Sequence, residues 1–145
     1  MELNTRDFGI ISIDEQDIIQ FEGAIYGFEE YKKYAFLFQE SISEHFVWLQ
    51  STEEPGLCFI LVEPSLIIDN YHPAIPEGIE KLLGPGNYMC WLIVVIKDDF
   101  KTSTANLKSP IIVNPATKKA AQIILDHEYP IHYPLLKQKE DGSSC

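Results

Sequence analysis

The chain has 145 residues, 22 acidic against 11 basic side chains, a formal net charge of -11 and 46% hydrophobic residues. This length is enough for one domain with a single core, and the hydrophobic content is too high for a disordered chain. The acidic excess argues against a nucleic-acid-binding protein, because phosphates favour a basic protein face.

The acidic excess lies in the first part of the chain. Residues 1–80 hold 16 acidic and three basic side chains, whereas residues 81–145 hold six acidic and eight basic ones. A field of this sign attracts a basic protein partner and speeds its association. A charged face that only keeps the protein in solution explains the same composition, so both interpretations stay open.

The positions of the cysteines and the lengths of the apolar runs indicate in which cellular compartment the protein is found. Cys58 and Cys90 lie inside apolar runs, Cys145 ends a polar segment, and no CxxC spacing occurs. Such cysteines are typical of a reducing environment, where a buried thiol acts as a small hydrophobe. The N-terminal residues lack a signal-peptide pattern, and the apolar runs are too short to cross a bilayer. We therefore expect a cytoplasmic protein with no membrane contact.

Strands dominate the elements predicted along the chain. Short segments rich in β-branched and aromatic residues alternate with Gly, Pro, Asn and Asp, which is typical of strands and turns. The runs 58–62 and 91–96 do not alternate, which predicts strands covered on both faces. Eight short strands favour a sandwich or a partly open barrel. The predicted strands span residues 9–13, 18–21, 34–38, 46–49, 57–62, 88–96, 111–113 and 122–125.

Helix signals are few. Residues 75–83 predict one short helix, because Pro76 can occupy an early helical position and Gly84 can end the helix. A single turn is expected at residues 28–32. The sequence therefore predicts one mainly β, antiparallel, partly open barrel-like domain over residues 1–136, with one or two short helices. The polar segment 137–145 is expected to be a mobile tail.

The residues that could carry chemistry form no recognisable motif. Asp126, His127 and His132 match no metal-ligand spacing, and Pro130 would break a helix that aligned them. Neither internal cysteine has a flanking base, and no serine lies in a GxSxG pattern. We predict a binding protein with no catalytic residue, metal or cofactor. A small metal-dependent enzyme that uses these three residues remains the alternative.

Several local patterns follow one another across residues 5–135. They include TRDFG at 5–9, EGAIYGFE at 22–29, FVWLQS at 46–51, TANLKSPIIVNPAT at 104–117 and QIILD at 122–126. In their order and spacing the sequence resembles the family of the flagellar assembly factor FliW. It departs from the family where Phe21 is followed by Glu22 instead of proline, and where Lys108 brings a charge into the TANLLAP pattern.

The resemblance implies both a fold and partners. It implies a cytoplasmic bacterial protein of mainly β, barrel-like fold that binds flagellin and the translational regulator CsrA. Capture of CsrA would relieve its repression of flagellin translation, and newly made flagellin would draw the factor away and free CsrA. A flagellin chaperone without a regulatory partner is the alternative. A monomer is expected.

Candidate binding residues lie in two of these patterns. Gly23 and Gly27 permit positive φ around Tyr26 and Phe28, so this loop can present aromatic anchors to a partner or plug the core at a sheet edge. The asparagines of the later pattern can cap turns or contact a partner. The candidate protein-binding residues are Tyr26, Phe28, Glu29, Asn106, Leu107 and Asn114.

Overall fold

The computed structural model describes residues 1–23, 25–38, 45–126 and 128–135. The predicted tail at 137–145, its Cys145 and the candidate metal ligand His127 lie outside the described residues. Eleven strands and two short helices are present in the described chain. In this part of the protein no helix is both long enough and apolar enough to span a membrane.

The strands are β1 Glu2–Asn4, β2 Ile10–Ser12, β3 Ile18–Phe21, β4 Lys33–Leu37, β5 Phe46–Ser51, β6 Cys58–Val62, β7 Met89–Val95, β8 Thr104–Ala105, β9 Ile111–Asn114, β10 Lys119–Gln122 and β11 Tyr133–Pro134. The helices are α1 Pro64–Ile67 and α2 Ile79–Leu83, with 3₁₀ turns at Glu15–Asp17 and Phe100–Thr102.

Seven strands form a closed barrel. Their order is β7-β6-β5-β4-β3-β10-β9, and β7 pairs with β9 to complete the ring, with Trp91 opposite Ile111. Every pair in the ring is antiparallel except β3 with β10, where Gln20 lies opposite Lys119. β8 pairs with the second half of β7 and β11 pairs with β8, whereas the β1–β2 hairpin forms a separate small sheet. The predicted mainly β, barrel-like fold is confirmed, but the barrel is closed instead of partly open and one of its strand pairs is parallel.

Apolar side chains fill the barrel and cover parts of its outer face. Phe21, Tyr34, Leu49, Leu61 and Trp91 belong to one buried cluster to which the ring strands contribute. Alternation along each strand sends the other side chains outward, where further clusters form beneath the hairpin, the helices and the C-terminal strands. Burial of apolar area on both faces is the main stabilising contribution to such a fold.

Several predicted elements agree with the structure. β3 has the predicted bounds, and strands occur at six of the other predicted positions with ends shifted by one or two residues. The predicted coverage of β7 on both faces is wrong at its end, because Val95 and the following Ile96 are 46% and 43% exposed. The very short elements β1, β8, β11 and α1 were not predicted, since two to four residues carry little periodic signal.

The predicted strand at 122–125 is wrong in position, because β10 ends at Gln122. The N–H groups of Ile123 and Leu125 still donate to the carbonyls of Pro110 and Lys108, at 3.1 and 2.9 Å. Proline has no N–H with which to return a bond, so the ladder is not completed there. The predicted helix start at residue 75 is also wrong, because α2 begins at Ile79. A residue that precedes proline, as Ile75 does, disfavours helical backbone.

Candidate functional site

An apolar groove opens at one end of the barrel, where β3, β6, β7 and β10 meet their loops. Its volume is about 500 Å³. We call it the Tyr26 groove after its most exposed aromatic side chain, which is 80% exposed. Most of its wall is aliphatic or aromatic, and Ile124 and Ile131 are also more than half exposed at its rim. The apolar wall consists of Ile25, Tyr26, Phe59, Ile93, Ile124 and Ile131.

A tight turn presents Tyr26. The Phe28 N–H donates to the Ile25 carbonyl at 2.8 Å, which closes a four-residue turn around Tyr26 and Gly27. Gly27 has φ of +92°, a backbone conformation that a turn of this kind assigns to glycine at its third position. Ile25 is almost fully buried and anchors the turn, so the adjacent tyrosine side chain is directed into solvent.

Phe28 has a different environment from Tyr26. Its ring meets Phe59 edge to face, with 5.1 Å between centroids, and 38% of the residue is exposed. Edge-to-face pairs of this kind stabilise the contact beyond simple area burial. The two residues of the aromatic loop therefore differ: Phe28 packs against the half-buried Phe59 beside the core, whereas Tyr26 is exposed to solvent.

Acidic side chains lie on the aromatic loop and on the neighbouring turn between β5 and β6. The Glu29 carboxylate accepts the Gly27 N–H at 3.0 Å, and this hydrogen bond lowers the pKa of Glu29 below its ordinary value. In the turn between β5 and β6, Glu53 accepts the N–H groups of Lys32 and Lys33, at 2.9 and 3.2 Å. Exposed carboxylates from two loops thus lie at the same end of the barrel.

The turn that contains Asn106 and Leu107 forms another wall of the groove. Asn106 Oδ1 accepts the N–H groups of Lys108 and Ser109, at 3.0 and 3.1 Å, so its side chain caps the turn. Leu107 is fully buried, and its carbonyl accepts the Tyr71 hydroxyl at 2.6 Å. Burial raises the pKa of Tyr71. Leu107 therefore anchors the turn from below and has no exposed surface.

Asn114 lies away from the groove, fully buried beside the end of α2. Its Nδ2 donates to the carbonyls of Leu83, Gly84 and Pro85 at 2.8 to 3.2 Å, and its Oδ1 accepts the Ala116 N–H at 3.0 Å. These carbonyls have no partner inside the helix, so the side chain completes the helix end. In this structure Asn114 supports the fold and presents no surface.

Gln122 is a groove residue that the sequence did not identify. Its side chain accepts the Tyr26 N–H at 2.8 Å and donates to the Ser109 carbonyl at 3.3 Å. Tyr26 lies 96 positions away in the chain. No local pattern signals a contact over that separation, because it depends on the β3–β10 pairing.

A second opening lies at the other end of the barrel. Its volume is about 390 Å³, and Phe36, Phe38 and Met89 contribute to its apolar lining. Asp17 and Lys118 approach each other to 3.9 Å at this opening. Neither residue lies in the patterns from which the candidate binding residues were chosen.

Of the residues considered for chemistry, the structure describes Asp126, His132, Cys58 and Cys90. Asp126 and His132 are exposed, and among the residues that the structure describes no group of three or more His, Cys, Asp or Glu side chains could hold a metal ion. Burial raises the pKa of Cys58 to about 11 and that of Cys90 to about 12. Both thiols are therefore protonated at neutral pH and unsuited to nucleophilic attack.

Comparison with known proteins gives consistent results over nearly the whole chain. The family model described as FliW protein matches residues 2–135. A flagellar assembly factor FliW of Syntrophus aciditrophicus is 40% identical, covering 97% of this chain and 90% of its own length. That of Caldanaerobacter subterraneus subsp. tengcongensis is 37% identical over 99% of both chains. That of Leptospira biflexa is 38% identical over 98% of this chain and 95% of its own.

A solved structure shares the fold. A crystal structure of the flagellar assembly factor FliW superimposes with a TM-score of 0.88 at 31% sequence identity, covering 96% of this chain and 99% of the other. Nearly the whole chain therefore shares the fold of a solved structure.

Proposed function

The chain belongs to the FliW family of flagellar assembly factors, and from that premise we propose that it binds and antagonises the translational regulator CsrA. We propose further that it binds flagellin, and that flagellin releases CsrA from it. Capture of CsrA relieves repression of flagellin translation, and release of CsrA restores that repression. The protein acts in the cytoplasm as a monomer and catalyses no reaction.

The observation that carries this proposal is an exposed aromatic side chain at the rim of an apolar groove. Tyr26 is 80% exposed on a turn that contains Gly27, and Phe28 of the same loop packs against Phe59. Exposed apolar patches with polar rims mark protein interaction sites, and tyrosine is prominent among residues that dominate binding energy. We therefore assign the lasting contact with the partner to the Tyr26 groove.

The acidic side chains near the groove support a basic partner. Glu29, Glu30, Glu53 and Glu54 are exposed on the two neighbouring loops at this end of the barrel. CsrA binds RNA, so at least one of its faces must be basic. Complementary charge speeds encounter and is screened by salt. We expect the association rate with CsrA to fall steeply between low and physiological ionic strength, and a rate indifferent to salt would contradict steering.

Tyr26→Ala tests the groove directly. We expect the affinity for CsrA to fall by about thirtyfold, which corresponds to about 2 kcal/mol for an aromatic anchor. The melting temperature should stay unchanged, because the removed side chain is exposed. Ile10→Ala is the matched control, since Ile10 is 68% exposed on the separate β1–β2 hairpin. Equal affinities of Tyr26→Ala and the parent protein would remove the groove from the proposal.

A flagellin chaperone without a regulatory partner is the second candidate. The observation that favours it is the groove itself, because covering an unassembled subunit requires an apolar surface and does not require acidic residues beside it. Titration of the purified protein with flagellin and with CsrA separates the two functions. Binding of flagellin alone, at every salt concentration, would establish the chaperone and contradict antagonism of CsrA.

A further inference from the structure

Gln122 joins two walls of the Tyr26 groove through one side-chain amide. Its Oε1 accepts the Tyr26 N–H at 2.8 Å, and its Nε2 donates to the Ser109 carbonyl at 3.3 Å. The first contact lies on the turn at residues 25–28, which we call the aromatic turn. The second lies on the turn at residues 106–109, which Asn106 caps and which we call the Asn106 turn. Gln122 is the last residue of β10 and is half-buried, so the barrel itself fixes its position.

The hydrogen bonds continue beyond Gln122 on one side. Ser109 donates its N–H to Asn106 Oδ1 at 3.1 Å, and the Leu107 backbone of the same turn is tied to Pro130 and to the Tyr71 hydroxyl. This turn is therefore a fixed support. The aromatic turn is held at Ile25 by burial and at Tyr26 by the amide of Gln122.

We propose that Gln122 is the positioning residue of the Tyr26 groove, holding the aromatic turn against the Asn106 turn so that a partner meets both walls already aligned. A loop that must be ordered on binding lowers affinity, whereas a loop ordered beforehand does not. This inference rests on the proposed function, because it takes the groove to be the surface that binds a partner.

The side-chain chemistry explains why glutamine suits this position. A primary amide offers one acceptor and two donors, so it can accept from Tyr26 and donate to Ser109 at once. A glutamate keeps the acceptor for the Tyr26 N–H and loses the donor. A methionine keeps similar length and loses both strong hydrogen-bonding groups. Gln122→Glu and Gln122→Met therefore separate the two contacts without creating a large cavity.

Amide hydrogen exchange of the free protein is the first measurement. We expect the Tyr26 amide of Gln122→Met to exchange about tenfold faster than in the parent protein, because its hydrogen bond is lost. Gln122→Glu should keep most of the protection. The amides of Leu49 and Leu61, deep in the barrel, should exchange equally slowly in all three proteins. Unchanged exchange at Tyr26 in Gln122→Met would overturn the positioning role.

Affinity for CsrA and for flagellin is the second measurement. Gln122→Met should bind CsrA, the partner to which we assign the groove, about fivefold to tenfold more weakly, consistent with the ordering of one short loop on binding. Gln16→Met, the same substitution in an exposed 3₁₀ turn, is the matched control and should bind like the parent protein.

The two measurements distinguish this inference from the proposed function. If Tyr26→Ala weakens binding and Gln122→Met does not, the groove binds its partner and the positioning role of Gln122 is overturned. If Tyr26 exchange rises in Gln122→Met while neither substitution affects either partner, the groove is not the binding surface, and the proposed site falls together with this inference.

Discussion

Replacing Asn114 by alanine removes a buried hydrogen-bonding centre without touching the groove. The side chain supplies two N–H donors to the carbonyls of Leu83, Gly84 and Pro85, and accepts from Ala116. Because only two N–H groups serve the three carbonyls, two donated bonds and one accepted bond are lost at about 1 kcal/mol each, so the free energy of unfolding should fall by about 3 kcal/mol. A domain of this size melts about 3 °C lower per kcal/mol, so its midpoint should drop by about 9 °C.

Urea unfolding followed by tryptophan fluorescence measures this loss, because Trp48 and Trp91 are both buried. The slope against urea should not change, since the surface exposed on unfolding is the same. Asn114→Asp should be less stable than Asn114→Ala, because a carboxylate would face three carbonyl oxygens. Asn106→Ala is the control, with a loss of about 1 kcal/mol at a half-exposed position where water can replace the amide.

The contrary result for Asn114 is equally specific. A loss below about 1 kcal/mol would contradict the role of its hydrogen bonds. Binding of CsrA by the folded variant should match the parent protein, because the residue has no exposed surface. Weaker binding with unchanged stability would restore Asn114 as a contact residue and refute its assignment to the fold.

Three further outcomes follow from single positions. Gly27→Ala should lower the free energy of unfolding in urea by about 1–2 kcal/mol, because alanine is strained at φ of +92°. Gly56→Ala is the control and should be tolerated, because Gly56 does not have positive φ. Equal stabilities of the two variants would contradict the strain. In a Cys145→Ser variant, Cys58 and Cys90, with pKa values raised to about 11 and 12, should resist a thiol reagent at pH 8 until urea exposes them, and fast labelling of either thiol in the folded protein would contradict the raised pKa values. Because the Gly27 N–H lowers the pKa of Glu29, the contribution of this hydrogen bond to stability is present above the ordinary glutamate pKa of about 4.3 and is lost as pH falls through the lowered pKa. The chemical shift of the Gly27 amide should therefore titrate with a midpoint below about pH 4.3. A midpoint above that pH would contradict the hydrogen bond.

Local sequence was sufficient for most of the strands. β3 is bounded as predicted, because the turn signals before Ile18 and after Phe21 flank a segment of alternating burial. Gly84, with φ of +84°, ends α2 as expected. The prediction failed where a strand needed a distant partner. β10 was placed three residues too late, since its position depends on pairing with β3 and on the missing N–H of Pro110.

The candidate site shows the same division between local and distant information. The patterns directed attention to Tyr26 and Asn106, which line one groove, but also to Leu107 and Asn114, which are buried. A motif gives the identity and order of residues and does not indicate which of them reaches the surface. The sequence did not identify Gln122 as a site residue, because its role depends on a hydrogen bond with Tyr26, which lies 96 positions away in the chain.

Composition, charge distribution and the ordered patterns alone determined a mainly β, acidic protein that resembles the FliW family. Those properties are local or additive along the chain, so they can be read without coordinates. Only the tertiary structure decided that the barrel closes through β7 and β9, that Tyr26 is exposed while Leu107 is not, and that Gln122 ties two loops together. Each of these depends on which distant segments pair, and that choice belongs to the packing of the whole chain.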